Sequence, residues 1–212
     1  CLTLTTIFCN DDWKSDVVKS SSDMFTNCTK LKGAVSYDQT KLDVRMANPT
    51  TGYFTKIGKI TPVAYVVEDG STLTFYYDAN KATRTGTVYG INQKRADDTQ
   101  VPAWAGLPVD PNERITKVVF DSSFKDYRPA TTNSWFFFCS KLTEFEGMSN
   151  LITDQVTDMS DMFCWCSSLT SIDVSNFNTA NVTSMHYMFG DCSSLTSLDV
   201  SKFNTANVTD MD

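Results

Sequence analysis

From Val156 onward, apolar and polar positions recur with a fixed period of 26 residues, and Val156, Val182 and Val208 open successive units without a gap. An ungapped period in the twenties predicts units that each pack on their neighbours, a solenoid. In the unit from Val182, the apolar residues Met185, Met188, Phe189 and Cys192 fall at i, i+3, i+4 and i+7. That spacing predicts a short helix, with Asn181 or Thr183 as its N-cap and Gly190 as its stop. Two turns of helix do not hold alone in water, so the apolar face must lean on a neighbour. In the run Leu195–Val200, Leu198 and Val200 alternate with Ser197, Asp199 and Ser201, which predicts a strand with one apolar and one polar side. The predicted fold class is therefore an α/β solenoid, each coil made of one strand and one short helix.

The run Leu-x-x-Leu-x-Val fits the strand signature of a leucine-rich repeat. Over Leu169–Phe189, the string Leu-Thr-Ser-Ile-Asp-Val-Ser-Asn-Phe-Asn-Thr-Ala-Asn-Val-Thr-Ser-Met-His-Tyr-Met-Phe resembles the repeat of BspA-like leucine-rich-repeat proteins. The resemblance is specific over 156–212 and weaker elsewhere. It implies a large surface or secreted protein, with adhesion to host or neighbouring cells through protein contacts.

The same spacing extends to other parts of the chain. Leu4-Thr-Thr-Ile7 matches Leu195-Thr-Ser-Leu198, and Cys9 stands where Val200 would. Val18, Met24, Phe25, Cys28 and Leu31 keep the spacing of Val182, Met188, Phe189, Cys192 and Leu195, with an extra residue in the turn 10–13. Residues 1–55 are thus expected to be the end of one array, closed by the polar stretch Ala34–Phe54, with 56–62 a linker. Within 63–112, Ala64–Val67 and Ser71–Tyr77 flank Glu68-Asp69-Gly70, and Asp-Gly between β-rich runs predicts a hairpin. Thr85–Gly90 offers a third strand, and Trp104 sits in a proline-rich loop as an anchor. This segment reads as a β-rich cap over the first coil of a second array. That array occupies 113–212, starts at Ile115-Thr-Lys-Val118 and breaks off inside a repeat. Both ends fall mid-repeat, which predicts a piece of a longer protein or stacking of copies end to end.

Composition narrows the function. With 18 basic against 25 acidic residues, a formal charge of −7, neither nucleic acid nor an anionic membrane is the expected partner. No run of 18 apolar residues spans a bilayer. Ser, Thr, Asn and Asp are abundant, in keeping with a cell-surface or secreted location. Cys1, Cys28, Cys139, Cys166 and Cys192 each stand three residues before a repeat Leu, which predicts buried reduced thiols in one column rather than disulfides. Of the pair Cys164 and Cys166, the first is expected on the solvent side. Asn27, Asn181 and Asn207 stand in Asn-x-Thr sequons, but two of these belong to the repeat, where capping explains them.

No nucleophile elbow, phosphate loop, dinucleotide fingerprint or metal motif is present, so no catalytic residue, cofactor or metal is expected. The single histidine, His186, takes a position filled by Ser160 and Asp212 in the adjoining units and reads as surface. Asp97, Asp98, Asp110 and Glu113 show no obvious partner in the sequence. The candidate binding face is the polar side of the strand run: Ser171, Asp173, Ser175, Ser197, Asp199 and Ser201. The expected function is protein binding or adhesion, the alternative a stalk or spacer without a ligand of its own.

Overall fold

The computed structural model describes residues 1–9, 18–56, 61–98 and 100–212. They form two compact units, Cys1–Thr61 and Pro62–Asp212. Among the described residues there is no α-helix, only short 3-10 turns, and no helix is long and apolar enough to cross a membrane.

In the first unit, strands β1 (Ile7–Cys9) and β2 (Phe54–Lys56) pair in parallel, Ile7 opposite Phe54. Phe25, Cys28 and Leu31 pack with Met46, Ala47, Tyr53 and Phe54 into a core of their own. Tyr53 meets Phe25 edge-on at 5.2 Å, and its hydroxyl accepts from Asp38 N (2.7 Å) while donating to Asp38 O (3.0 Å). The closing stretch therefore supplies large core side chains as well as polar ones. Val18 and Met24, expected inward from the repeat spacing, are exposed. The turn at 10–13, and most of the expected linker (57–60), lie outside the described residues.

The second unit is built on a five-stranded sheet of order β5-β3-β4-β6-β7. Strands β3 (Val63–Asp69) and β4 (Thr72–Asp78) form an antiparallel hairpin whose turn passes through Gly70, at φ +59°. This is the Asp-Gly turn, where only Gly takes a left-handed conformation at no steric cost. Strand β5 (Thr87–Gly90) adds to β3 antiparallel, while β6 (Lys117–Phe120) and β7 (Glu144–Glu146) continue from β4 in parallel. Between β6 and β7 the chain crosses through a 3-10 turn, Ser122–Asp126, capped by Asp121, whose carboxylate accepts from Ser123 N. Alternation along β4 buries Leu73 and Phe75 completely. Around Phe75 gather Trp104, Phe120, Phe124, Trp135 and Phe136, ring centroids 4.8 to 5.9 Å away. Trp104 is locked there by donating Nε1–H to Trp135 O at 2.8 Å.

The α/β solenoid is not the fold that forms. Leu169–Val174 and Leu195–Val200, the expected strands, join no ladder, and the expected helices are chains of tight turns. Over 159–169 the amides of Met162, Cys164, Cys166 and Leu169 each donate to the carbonyl three residues back, where an α-helix would use four. The alternate amides turn outward instead: Met159, Asp161, Phe163 and Trp165 donate to Ser184, His186, Met188 and Gly190 O in the next unit. Residues four apart take left-handed φ to make this possible: Ser134 and Phe138, Asp161 and Trp165, Tyr187 and Asp191. The i, i+3, i+4, i+7 apolar spacing did locate the core, since Met159, Met162, Phe163, Cys166 and Leu169 are all fully buried. It could not separate a helix from a turn series that brings the same positions inward.

The repeat period is nonetheless a spatial one, and its polar letters explain how. Asn181 and Asn207 donate their side-chain amides to Asp154 O (2.8 Å) and Ala180 O (2.7 Å) one unit back, so these two sequon asparagines are cross-links rather than helix caps. Thr179 Oγ1 both accepts from Asn204 N (2.7 Å) and donates to Asn204 O (3.0 Å), and Thr153 clamps Asn178 in the same way. Thr183 and Thr209 donate Oγ1–H to Thr157 O and Thr183 O. Along the core the rings also stack unit on unit, Phe136 on Phe163 and Phe163 on Phe189, at 5.5 and 5.2 Å.

Candidate binding surface

All six residues of the expected face, Ser171, Asp173, Ser175, Ser197, Asp199 and Ser201, are exposed. Asp173 Oδ1 accepts from Ser175 N and Asp199 Oδ1 from Ser201 N, each at 2.9 Å, so both carboxylates close a local turn and hold one orientation. The hydrogen bonds from the serines hold both carboxyls below the ordinary aspartate range, with Lys202 nearby acting in the same direction. Asp173 and Asp199 are close enough to feel each other's charge. Ser171 and Asp173 also line an open groove of about 420 Å³ with Thr143, Glu144, Phe145 and Ile172. The remaining four residues of the expected face lie outside that groove. At its β7 side, Lys117 Nζ bridges Glu144 and Glu146, 2.8 Å from each.

Of the acidic residues without an evident partner in the sequence, Asp97, Asp98 and Asp110 are engaged. Arg95 holds Asp97 and Asp110, each at 2.8 Å, and Asp98 Oδ1 accepts from Gln100 N at 2.7 Å. Arg95 also donates to Ala105 O, which pins the proline-rich loop. These carboxylates brace the fold.

A second polar surface runs up another side of the units, and the sequence reading did not find it. Parallel bridges align Thr131, Asp158, Ser184 and Asp210 in one column. Two residues on, Asn133, Ser160 and His186 stand beside it. Asn133 Nδ2 donates to Asp158 Oδ2 (3.2 Å), Ser160 and Ser184 share a hydroxyl hydrogen bond (2.7 Å), and His186 Nδ1 lies 3.4 Å from Asp210 Oδ1. Asp161 adjoins this column, and burial pushes its carboxyl up while His186 draws it down. The signal was available in the period: one step of 26 sets Asp210 next to Ser184 and Asp212 next to His186. At the lower end of the column, Gln93, Lys94, Tyr127, Arg128, Asn133 and Trp135 help line a cavity of about 220 Å³.

All seven cysteines are free thiols, and all but Cys1 are buried. Cys166 donates to Phe136 O (3.2 Å) and Cys192 to Phe163 O (3.1 Å), so the column of thiols also ties unit to unit. Burial pushes the thiols of Cys139 and Cys164 up to about 12 and that of Cys192 up to about 11. Cys164 is therefore not on the solvent side, as expected from the sequence, but 5% exposed.

The turn series, the rungs of Asn and Thr, and the polar column all fall in the segment that known proteins recognise. Residues 131–212 match a family described as a Mycoplasma protein of unknown function, DUF285. The match covers the turn-rich units and β7, and not strands β3 to β6 or the unit Cys1–Thr61. It replaces the resemblance to BspA-like leucine-rich-repeat proteins, which finds no support: the family matched is a different one, and the strand-plus-helix coil is absent. No curated protein and no solved structure matches the chain.

Proposed function

We propose that this chain is a non-catalytic binding segment of a cell-surface or secreted protein, engaging a protein partner through the groove beside β7. The observation that carries the reading is the groove lined by Thr143, Glu144, Phe145, Ser171, Ile172 and Asp173. Phe145 and Ile172 offer partly buried apolar surface there. Around it, Glu144, Glu146, Asp173 and Asp199 outnumber Lys117 and Lys202, which suits a partner segment that carries basic and apolar side chains. Two carboxylates already fixed by local turns lose little orientational freedom on binding, so the face is pre-organised. A location outside the cell is supported by the wealth of Ser, Thr, Asn and Asp.

The test is binding of the immobilised chain to a panel of matrix and plasma proteins, glycans and whole cells. Saturable binding, weakened about tenfold or more by Asp173→Asn with Asp199→Asn, is the expected result. Binding that survives both changes moves the site off this face. A specific observation favours a second reading as spacer: the same rungs recur one period apart, at Thr153 and Thr179 and at Asn181 and Asn207. Absence of binding to every member of the panel would favour that spacer.

A further inference from the structure

The upper end of the polar column gathers one imidazole and two carboxylates. Ser184 bridges Asp210 in parallel, and Tyr187 N donates to Asp212 O at 2.8 Å, so backbone pairing fixes the two segments side by side. With that register set, one donor atom from each of His186, Asp210 and Asp212 lies within 4.8 Å of the other two. Donor atoms around one small divalent ion stand roughly 3–4 Å apart. The His186–Asp210 pair, at 3.4 Å, is already there. Asp212 is exposed and free to close the remaining distance by rotation.

A second observation points to an occupant. His186 Nδ1 is shut off from solvent yet makes no hydrogen bond, its approach to Asp210 being poorly aimed for one. A buried ring nitrogen without a partner is costly, and a metal ion or a proton relieves that cost. Charge argues in the same direction. Asp161 also faces His186, and Asp158 lies close to Asp161, so further carboxylates gather around the ring. Lys94 acts on Asp158 at the lower end of the column.

We propose that His186, Asp210 and Asp212 form a divalent-cation site of mixed nitrogen and oxygen donors. Three protein ligands leave coordination positions open to water or to a carboxylate of a partner. The donor set suits Mn²⁺, Co²⁺ or Zn²⁺ better than Ca²⁺, which takes oxygen ligands in larger number. Binding joins two successive units through side chains, at the position where Ser160 and Ser184 join the units below by a hydrogen bond.

Titration of the 212-residue chain with Mn²⁺, followed by paramagnetic broadening of amide resonances, tests the site. Broadening should centre on residues 158–161, 184–187 and 210–212, with one ion bound per chain. His186→Gln and Asp210→Asn should each weaken binding about tenfold or more. Co²⁺ should give the weak visible bands of nitrogen and oxygen ligation, not the intense near-ultraviolet absorption of a thiolate. No binding at millimolar Mn²⁺, equal binding in the His186→Gln variant, or a thiolate spectrum would each overturn the proposal.

Discussion

The hairpin sheet at 63–90 and the turn-rich units at 131–212 solve one problem in opposite ways. Both must satisfy buried backbone groups while keeping an apolar column inside. In the sheet, β3 and β4 pair residue for residue from Val63–Asp78 to Asp69–Thr72, and side chains are left to alternate. In the units, half of the amides of the turn series close local turns, and the other half cross to the next unit. Polar side chains complete the cross-links, as Thr179, Asn181 and Cys192 do. A polar residue such as Thr74 on the sheet surface is therefore replaceable, whereas one such as Thr179 in the units is part of the frame.

Phe163→Ala removes the middle ring of the Phe136–Phe163–Phe189 stack, and should cost about 3–5 kcal/mol of stability in urea unfolding of the second unit. A loss below about 1 kcal/mol would mean that the ring stack does not hold the units together. A smaller loss is expected for Thr179→Val. It preserves shape but strands Asn204 N and O, with an expected loss of about 1–3 kcal/mol. The same change at Thr74, half-exposed on β4, should stay within about 0.5 kcal/mol. Equal losses at the two sites would erase the distinction.

The smallest expected effect belongs to the sheet. Tyr65 is buried, and burial pushes its hydroxyl up to about 12, aided by its hydrogen bond to Asp78 and opposed by Arg84. Tyr89 is raised to about 12 in the same way, with Glu68 as its acceptor. A group whose pKa is higher folded than unfolded contributes stability that is fully present below about pH 10, the unfolded value. That contribution is lost as pH rises through about 12. Tyrosinate absorbance should show these two rings titrating late, and Tyr65→Phe should flatten the alkaline part of the stability profile. An unchanged profile would place the alkaline loss elsewhere.

These regions also differed in how far the sequence could be read. The hairpin was legible because Asp69-Gly70 specifies a turn locally, and alternation along Leu73–Tyr77 marks the buried face. The 26-residue period was legible too, and with it the buried column from Met159 to Leu169. The conformation of that column was not. Left-handed φ at Asp161, Trp165, Tyr187 and Asp191 leaves no mark in hydrophobic spacing, and none of these residues is Gly. The six residues of the expected face proved exposed, but only Ser171 and Asp173 reach the groove. His186 was read by its variability between units, when its neighbours one period away decide its surroundings.

Those left-handed residues impose a filter on how the chain can drift in evolution. At Asp161, Trp165, Tyr187 and Asp191 a β-branched replacement meets a steric penalty that no core repacking removes, whereas Asn and Gly are admitted freely. Lineages of such units are therefore channelled: their inward positions can exchange one apolar residue for another of similar volume, while these exposed or half-exposed positions stay closed to Val, Ile and Thr. The constraint on these units sits as much in backbone handedness as in the core.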